Sequence, residues 1–213
     1  MAHISMQWKI RGFFLVDLII LGFLAESPFN FLVLNTFLGY VPIELAFQIK
    51  KIKSVKSLPF LLFFVIWLAF YPNAPYLMTD LFHLSLLNPH DYANGLLSNS
   101  PRMWLDFGLL MVSMFGALLI GTYELNVIAQ RINQAFRIKF IWVLPTILMA
   151  ASGIGVYIGR FLRIHSLYLF LTPTWFIKQI LNMWNLRMVF FVTILTIVQL
   201  AVLWLLNEIK KAD

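Results

Sequence analysis

Asp80, His83 and Asp106, together with Arg160 and Arg163, are the residues of this chain best suited to chemistry. Asp80 and His83 are three apart, which puts them on one face of a helix. A carboxylate beside an imidazole can move a proton. Asp80, His83 and Asp106 could also offer oxygen and nitrogen ligands to a divalent ion such as zinc or manganese. The Asp-x-x-His spacing is far less specific than the paired-histidine zinc motif. The plainer alternative is that Asp80 pairs with Arg160 or Arg163 and that His83 sits at headgroup level. The two arginines, three apart, could clamp a phosphate or carboxylate through paired donors, or simply neutralise the acids, since charges near hydrocarbon are usually partnered. Asn73, Tyr76 and Thr79 precede the Asp–His pair and join Arg160 and Arg163 as ligand-binding candidates. No serine is placed to complete a Ser–His–Asp triad.

The elements that must position these residues are membrane spans. The chain has 213 residues, 61% of them hydrophobic and 12% charged, with a mean hydropathy of +0.84. Soluble domains are nearer half apolar and a quarter charged. The reading is an all-α, polytopic integral membrane bundle forming a single membrane domain over residues 1–213. About six spans are expected, over 9–24, 31–49, 58–71, 103–128, 140–158 and 188–206. The first resembles a signal peptide but is interrupted by Asp17 and followed by further spans, so it is read as uncleaved.

Span 3 should break at Pro72 and Pro75, which remove two backbone donors and push Tyr71 and Ala74 from helical angles. A short helix should restart behind Asn73 as N-cap and run to Leu87, too short to cross and therefore interfacial or re-entrant. Residues 88–102 read as polar loop. Ser166–Asn185, rich in aromatic residues, suits a segment at the membrane interface.

There is no cysteine, which excludes disulfides, a thiolate nucleophile and iron–sulfur ligation. The net charge of +7 does not indicate nucleic acid, because the basic residues lie between apolar runs as topology signals do. Eleven of the 16 fall on the side of the termini and the Lys50–Lys56 loop, so both termini are expected in the cytoplasm and the Asp–His pair outside. Glu124, 18 residues beyond Asp106 or roughly 27 Å along a helix, belongs at the other end, with Glu44 as a neighbour. Asp17 reads as a hydrogen-bonded bundle residue or a proton relay. Ala151, Gly155 and Gly159 repeat every four residues, the small-residue face of close helix packing, with Ala117 and Gly121 as a shorter matching face.

Asn35-Thr-Phe-Leu-Gly-Tyr-Val-Pro42, Trp67, Phe70-Tyr-Pro-Asn-Ala-Pro-Tyr76, Thr79-Asp80-Leu-Phe-His83-Leu, Trp104-Leu-Asp106 and Gly159-Arg-Phe-Leu-Arg163 together resemble a family of bacterial multi-span membrane proteins, domain-of-unknown-function family 1361. The resemblance covers most of the chain. It implies a bacterial plasma membrane protein and supplies no activity or cofactor. The polar run that follows the last motif in that family is His165-Ser166-Leu167-Tyr168 here.

Three readings follow. The first is a polar site opening outward that binds, and perhaps modifies, a lipid headgroup or other anionic envelope molecule. The second is a transporter or channel component, with Asp17, Glu44 and Glu124 along a path inward. The third is a non-catalytic assembly partner of another membrane protein. Membrane lipids are the expected partners, with a membrane protein or a second copy of the chain as further ones.

Overall fold

The computed structural model describes residues 5–87, 89, 98–162 and 172–212. Among these residues all regular structure is helical. Helices α1 (Met6–Leu24) and α2 (Phe31–Lys51) form a first hairpin. Helix α3 (Leu58–Phe70) leads through a two-residue turn into α4 (Asn73–Thr79) and a 3-10 turn (Asp80–Leu87). Helix α5 (Pro101–Phe136) is the longest. Helix α6 (Val143–Tyr157) ends in a π-helical turn, Ile158–Leu162. A short helix α7 (Pro173–Asn182), with Trp175 and Leu181 exposed, precedes α8 (Leu186–Ala212).

Five of these are long and apolar enough to cross a membrane: α2, the run Leu58–Leu87, α5, α6 with its π turn, and α8. Helix α1 has 19 residues but carries Lys9, Arg11 and Asp17, so six spans is an approximate count. Helix α5, with 36 residues, is about 54 Å long. That exceeds a hydrocarbon core of about 30 Å, so α5 is longer than one crossing requires.

The proline break differs from the sequence expectation. Tyr71 keeps helical angles, φ −54° and ψ −37°, and Pro72 does too. The N-cap is Pro72, and Asn73 is the first helical residue; its Nδ2 donates to Phe70 O at 2.8 Å. The physical reason is that Pro72 and Pro75 fall at the start of α4, where backbone N–H groups lack helical partners anyway. The prolines interrupt the ladder without ending the crossing. Pro42, likewise, lies inside an uninterrupted α2.

Helix α4 is not laid on the bundle surface. Ala74, Pro75, Leu77 and Thr79 are buried, and the helix packs against α2, α5 and α6. Three glycines from these three helices admit it. A Cβ at Gly39 would meet Leu77 Cδ1 at 2.7 Å, one at Gly121 would meet Ala74 Cβ at 2.9 Å, and one at Gly155 would meet Pro72 Cγ at 2.5 Å. The small-residue faces of α5 and α6 therefore close on α4 rather than on each other. The approach of α6 to the α8 backbone runs instead through Gly153, whose Cβ would stand 3.5 Å from Val192 Cα.

Beneath this seat lies an apolar core of Trp67, Tyr71, Ile128, Met149 and Leu203. Gln199 links three helices there. Its Oε1 accepts from Ser152 Oγ at 3.1 Å and Tyr71 Oη at 3.4 Å, and its Nε2 reaches Leu195 O at 3.2 Å. A buried carboxamide needs such partners, because an unmade hydrogen bond in an apolar interior is costly.

Candidate functional site

The end of α4 places Asp80 at the junction of α2, the 3-10 turn and the π turn of α6. Its side chain is only 1% exposed. Asn35 Nδ2, from the first turns of α2, donates to Asp80 Oδ2 at 2.8 Å. Arg160 NH1 donates to Oδ1 at 3.3 Å. His83 Nδ1 lies 3.7 Å from the same Oδ1 and 3.1 Å from the Asp80 carbonyl. Its ring packs on Phe31, with centroids 4.4 Å apart.

Arg160 is carried by the π turn. A π turn inserts one residue into a helical turn, and such turns are frequent at functional sites. From there its guanidinium crosses Tyr76, 5.8 Å from the ring centroid, with NH1 also 3.4 Å from Tyr76 Oη. NH2 donates to Thr79 O at 3.1 Å. Gly159 leaves room for this approach, since its Cβ would sit 3.5 Å from the Tyr76 ring. Of the five guanidinium N–H groups, three are spent on the protein. Among the described residues no partner takes Nε–H or the second NH2 hydrogen.

The structure thus brings Asp80, His83, Tyr76, Arg160 and the Thr79 carbonyl together. The Thr79 hydroxyl is turned back to Tyr76 O at 2.7 Å, and Asn73 serves the Phe70 carbonyl instead of this cluster. Arg163 lies outside the described residues, as do His165 and the rest of 163–171.

Among the described residues Asp106 shares no partner with Asp80. It pairs one turn along its own helix with Arg102, at 2.8 Å from NH2 to Oδ1 and 3.1 Å from Nε to Oδ2. Arg102 in turn reaches Glu26 at 3.2 Å and Leu24 O at 2.9 Å, tying the start of α5 to the end of α1. Among the described residues no three His, Asp or Glu side chains lie close enough to hold a metal ion.

Sequence reasoning missed Asn35 and Arg102 as partners of the acids. The Arg102–Asp106 spacing of four was a readable signal; Asn35 and Asp80, 45 residues apart, gave none.

At the opposite end of the bundle the acids are also compensated, but separately. Glu44 accepts from Arg11 Nε and NH2 at 2.9 and 2.8 Å, from Tyr40 Oη at 2.8 Å, and from Gln48. Glu124, 2% exposed, takes Lys50 Nζ at 2.7 Å. Each has its own cation. Midway, buried Asp17 accepts from Ser113 Oγ at 3.0 Å.

A family model described as "Protein of unknown function (DUF1361)" matches residues 34–202. No curated protein and no solved structure matches the chain.

Proposed function

The chain belongs to the DUF1361 family of proteins of unknown function, and on that premise we propose that it is a bacterial plasma membrane protein that binds an anionic headgroup at the Asp80–Arg160 site. Both termini would face the cytoplasm, so that the site opens outward. One observation carries the reading. A carboxylate that is 1% exposed holds Arg160 and His83, whose side chains are 21% and 27% exposed. The acid is sunk and fully partnered, while the two nitrogen bases reach the surface beside Tyr76.

That layering suits an anion. Asp80 and the Thr79 carbonyl fix the guanidinium plane from below. The remaining Nε–H and NH2 hydrogens form the edge that carboxylates and phosphates accept in paired fashion. His83 adds a third donor when protonated and can exchange a proton with the ligand. The ligand class is a phosphate- or carboxylate-bearing headgroup of an envelope molecule, which the membrane rim supplies at high local concentration.

The test is retention of co-purified anionic lipid by the detergent-purified protein, measured by mass spectrometry beside thermal unfolding. Arg160→Lys keeps the charge and loses the fork. Lost retention with a preserved unfolding midpoint supports headgroup binding. Full retention assigns the cluster to structure alone.

A further inference from the structure

At the far end of the bundle from Asp80, a cleft of about 450 Å³ opens between the last turns of α5, the start of α6 and the last turns of α8. Its volume falls within the range of about 300–1,000 Å³ usual for small-molecule sites. Asn126, Gln130, Asn133, Gln134 and Asn207 line it with carboxamides, Arg137 and Lys139 supply the charge, and among the described residues no acidic side chain lines it. Among the described residues neither Arg137 nor Lys139 has an ion-pair partner.

Asn133 gives the cleft a second chemical demand. It is 5% exposed. Its Nδ2 donates to Ile141 O at 3.2 Å, and its Oδ1 has no partner among the described residues. Buried polar atoms are normally satisfied, so a donor is missing there. The carbonyls at the end of α5 do not compete for the site: Ile138 N donates to Asn133 O at 2.9 Å, and Arg137 N to Gln134 O at 3.4 Å. This turn holds Arg137 in the left-handed region, φ 54° and ψ 39°, a position that glycine usually takes at helix ends. Ile141 and Trp142 line the cleft and are exposed, as is the preceding Phe140, the composition of a membrane–water interface.

We propose that this cleft binds the headgroup of a glycerol-bearing anionic phospholipid. Arg137 and Lys139 take the phosphate, a headgroup hydroxyl donates to Asn133 Oδ1, and the acyl chains leave past Ile141 and Trp142. The proposal stands apart from the Asp80–Arg160 site, which lies at the other end of the bundle.

The test uses the full chain in phosphatidylcholine nanodiscs doped with phosphatidylglycerol or phosphatidic acid, with inorganic phosphate as competitor. The wild type should prefer phosphatidylglycerol. Arg137→Gly and Lys139→Gln should each weaken that binding roughly tenfold, the worth of one charge-assisted hydrogen bond. Arg137→Gly should keep or raise the unfolding midpoint, because glycine relaxes the left-handed turn, so lost binding cannot be misfolding. Asn133→Leu should erase the preference for phosphatidylglycerol over phosphatidic acid, which lacks the hydroxyls. All comparisons are made on an Arg160→Gln background, so that anionic lipid held at the Asp80–Arg160 site does not enter them. Undiminished phosphatidylglycerol binding in the Arg137→Gly/Lys139→Gln double variant would overturn the proposal. So would displacement of the lipid by equimolar inorganic phosphate, which would assign the cleft to the free ion.

Discussion

Pro72 lies directly against Gly155, so closely that a methyl group added to the glycine would stand 2.5 Å from Pro72 Cγ. Gly39 and Gly121 make comparable approaches to the next residues of α4. The helix that carries Tyr76, Thr79 and Asp80 is thereby fixed from three sides.

Gly155→Ala should therefore lower the unfolding midpoint. Replacing a helical glycine by alanine ordinarily stabilises by up to about 1 kcal/mol, but overpacking a tight contact costs about 1–3 kcal/mol, and Pro72 is too rigid to yield. Gly22→Ala is the comparison, since nothing lies within 4 Å of its added Cβ. Differential scanning fluorimetry in detergent should show a drop for the first and no drop for the second. Equal midpoints would refute the close contact.

Asp80 and Arg160 should behave as an energetically coupled pair. Arg160→Ala leaves the carboxylate with Asn35 and His83 alone. Breaking a buried pair costs about 3–5 kcal/mol; with Arg160 21% exposed, water screens part of this, so a loss of about 2 kcal/mol is expected. Asp80→Asn on the Arg160→Ala background should recover part of it. A double-mutant cycle closing to within about 0.5 kcal/mol of additivity would show no coupling.

Lys50 and Glu124 offer an asymmetric case. Glu124 is 2% exposed and Lys50 is 22%. Lys50→Met should destabilise more than Glu124→Gln, because the first strands a buried carboxylate and the second leaves a cation near water. Unfolding midpoints in the opposite order would contradict this assignment.

The proposed orientation is open to cysteine labelling, which has no native background to contend with. In intact cells a membrane-impermeant maleimide should label Ser98→Cys, in the loop before α5, and spare Ser54→Cys, between α2 and α3. Labelling in the reverse order would invert the topology and turn the Asp80 site inward.

The helical bundle was readable because apolar runs long enough to cross a bilayer have few other uses. The Gly155 face was readable from its four-residue period; its partner was not, since a glycine stripe states that something comes close without naming what. Pro72 misled because the steric rule for the preceding residue is a bias, and burial of α4 between α2 and α5 overrides it at Tyr71. Asp80 was recognisable as a group needing a cation, and Arg160 as one able to serve. Asp106 was assigned to the same cluster by depth alone. A partner one turn away on the same helix, Arg102, is closer than anything that depth could supply.

The ion pairs also bear on biogenesis. Arg11 and Glu44 lie in the first two helices, so the hairpin they form can leave the insertion machinery with its charges already neutralised. Lys50 likewise precedes Glu124 and is waiting when that acid arrives. Asp80 is different: Arg160 follows it by 80 residues. While the chain is being made, that carboxylate has only Asn35 and His83 beside it, and α4 has neither Gly121 nor Gly155 to seat it. The Leu58–Leu87 crossing therefore cannot settle fully until α6 has emerged, and the site at its tip is completed only then.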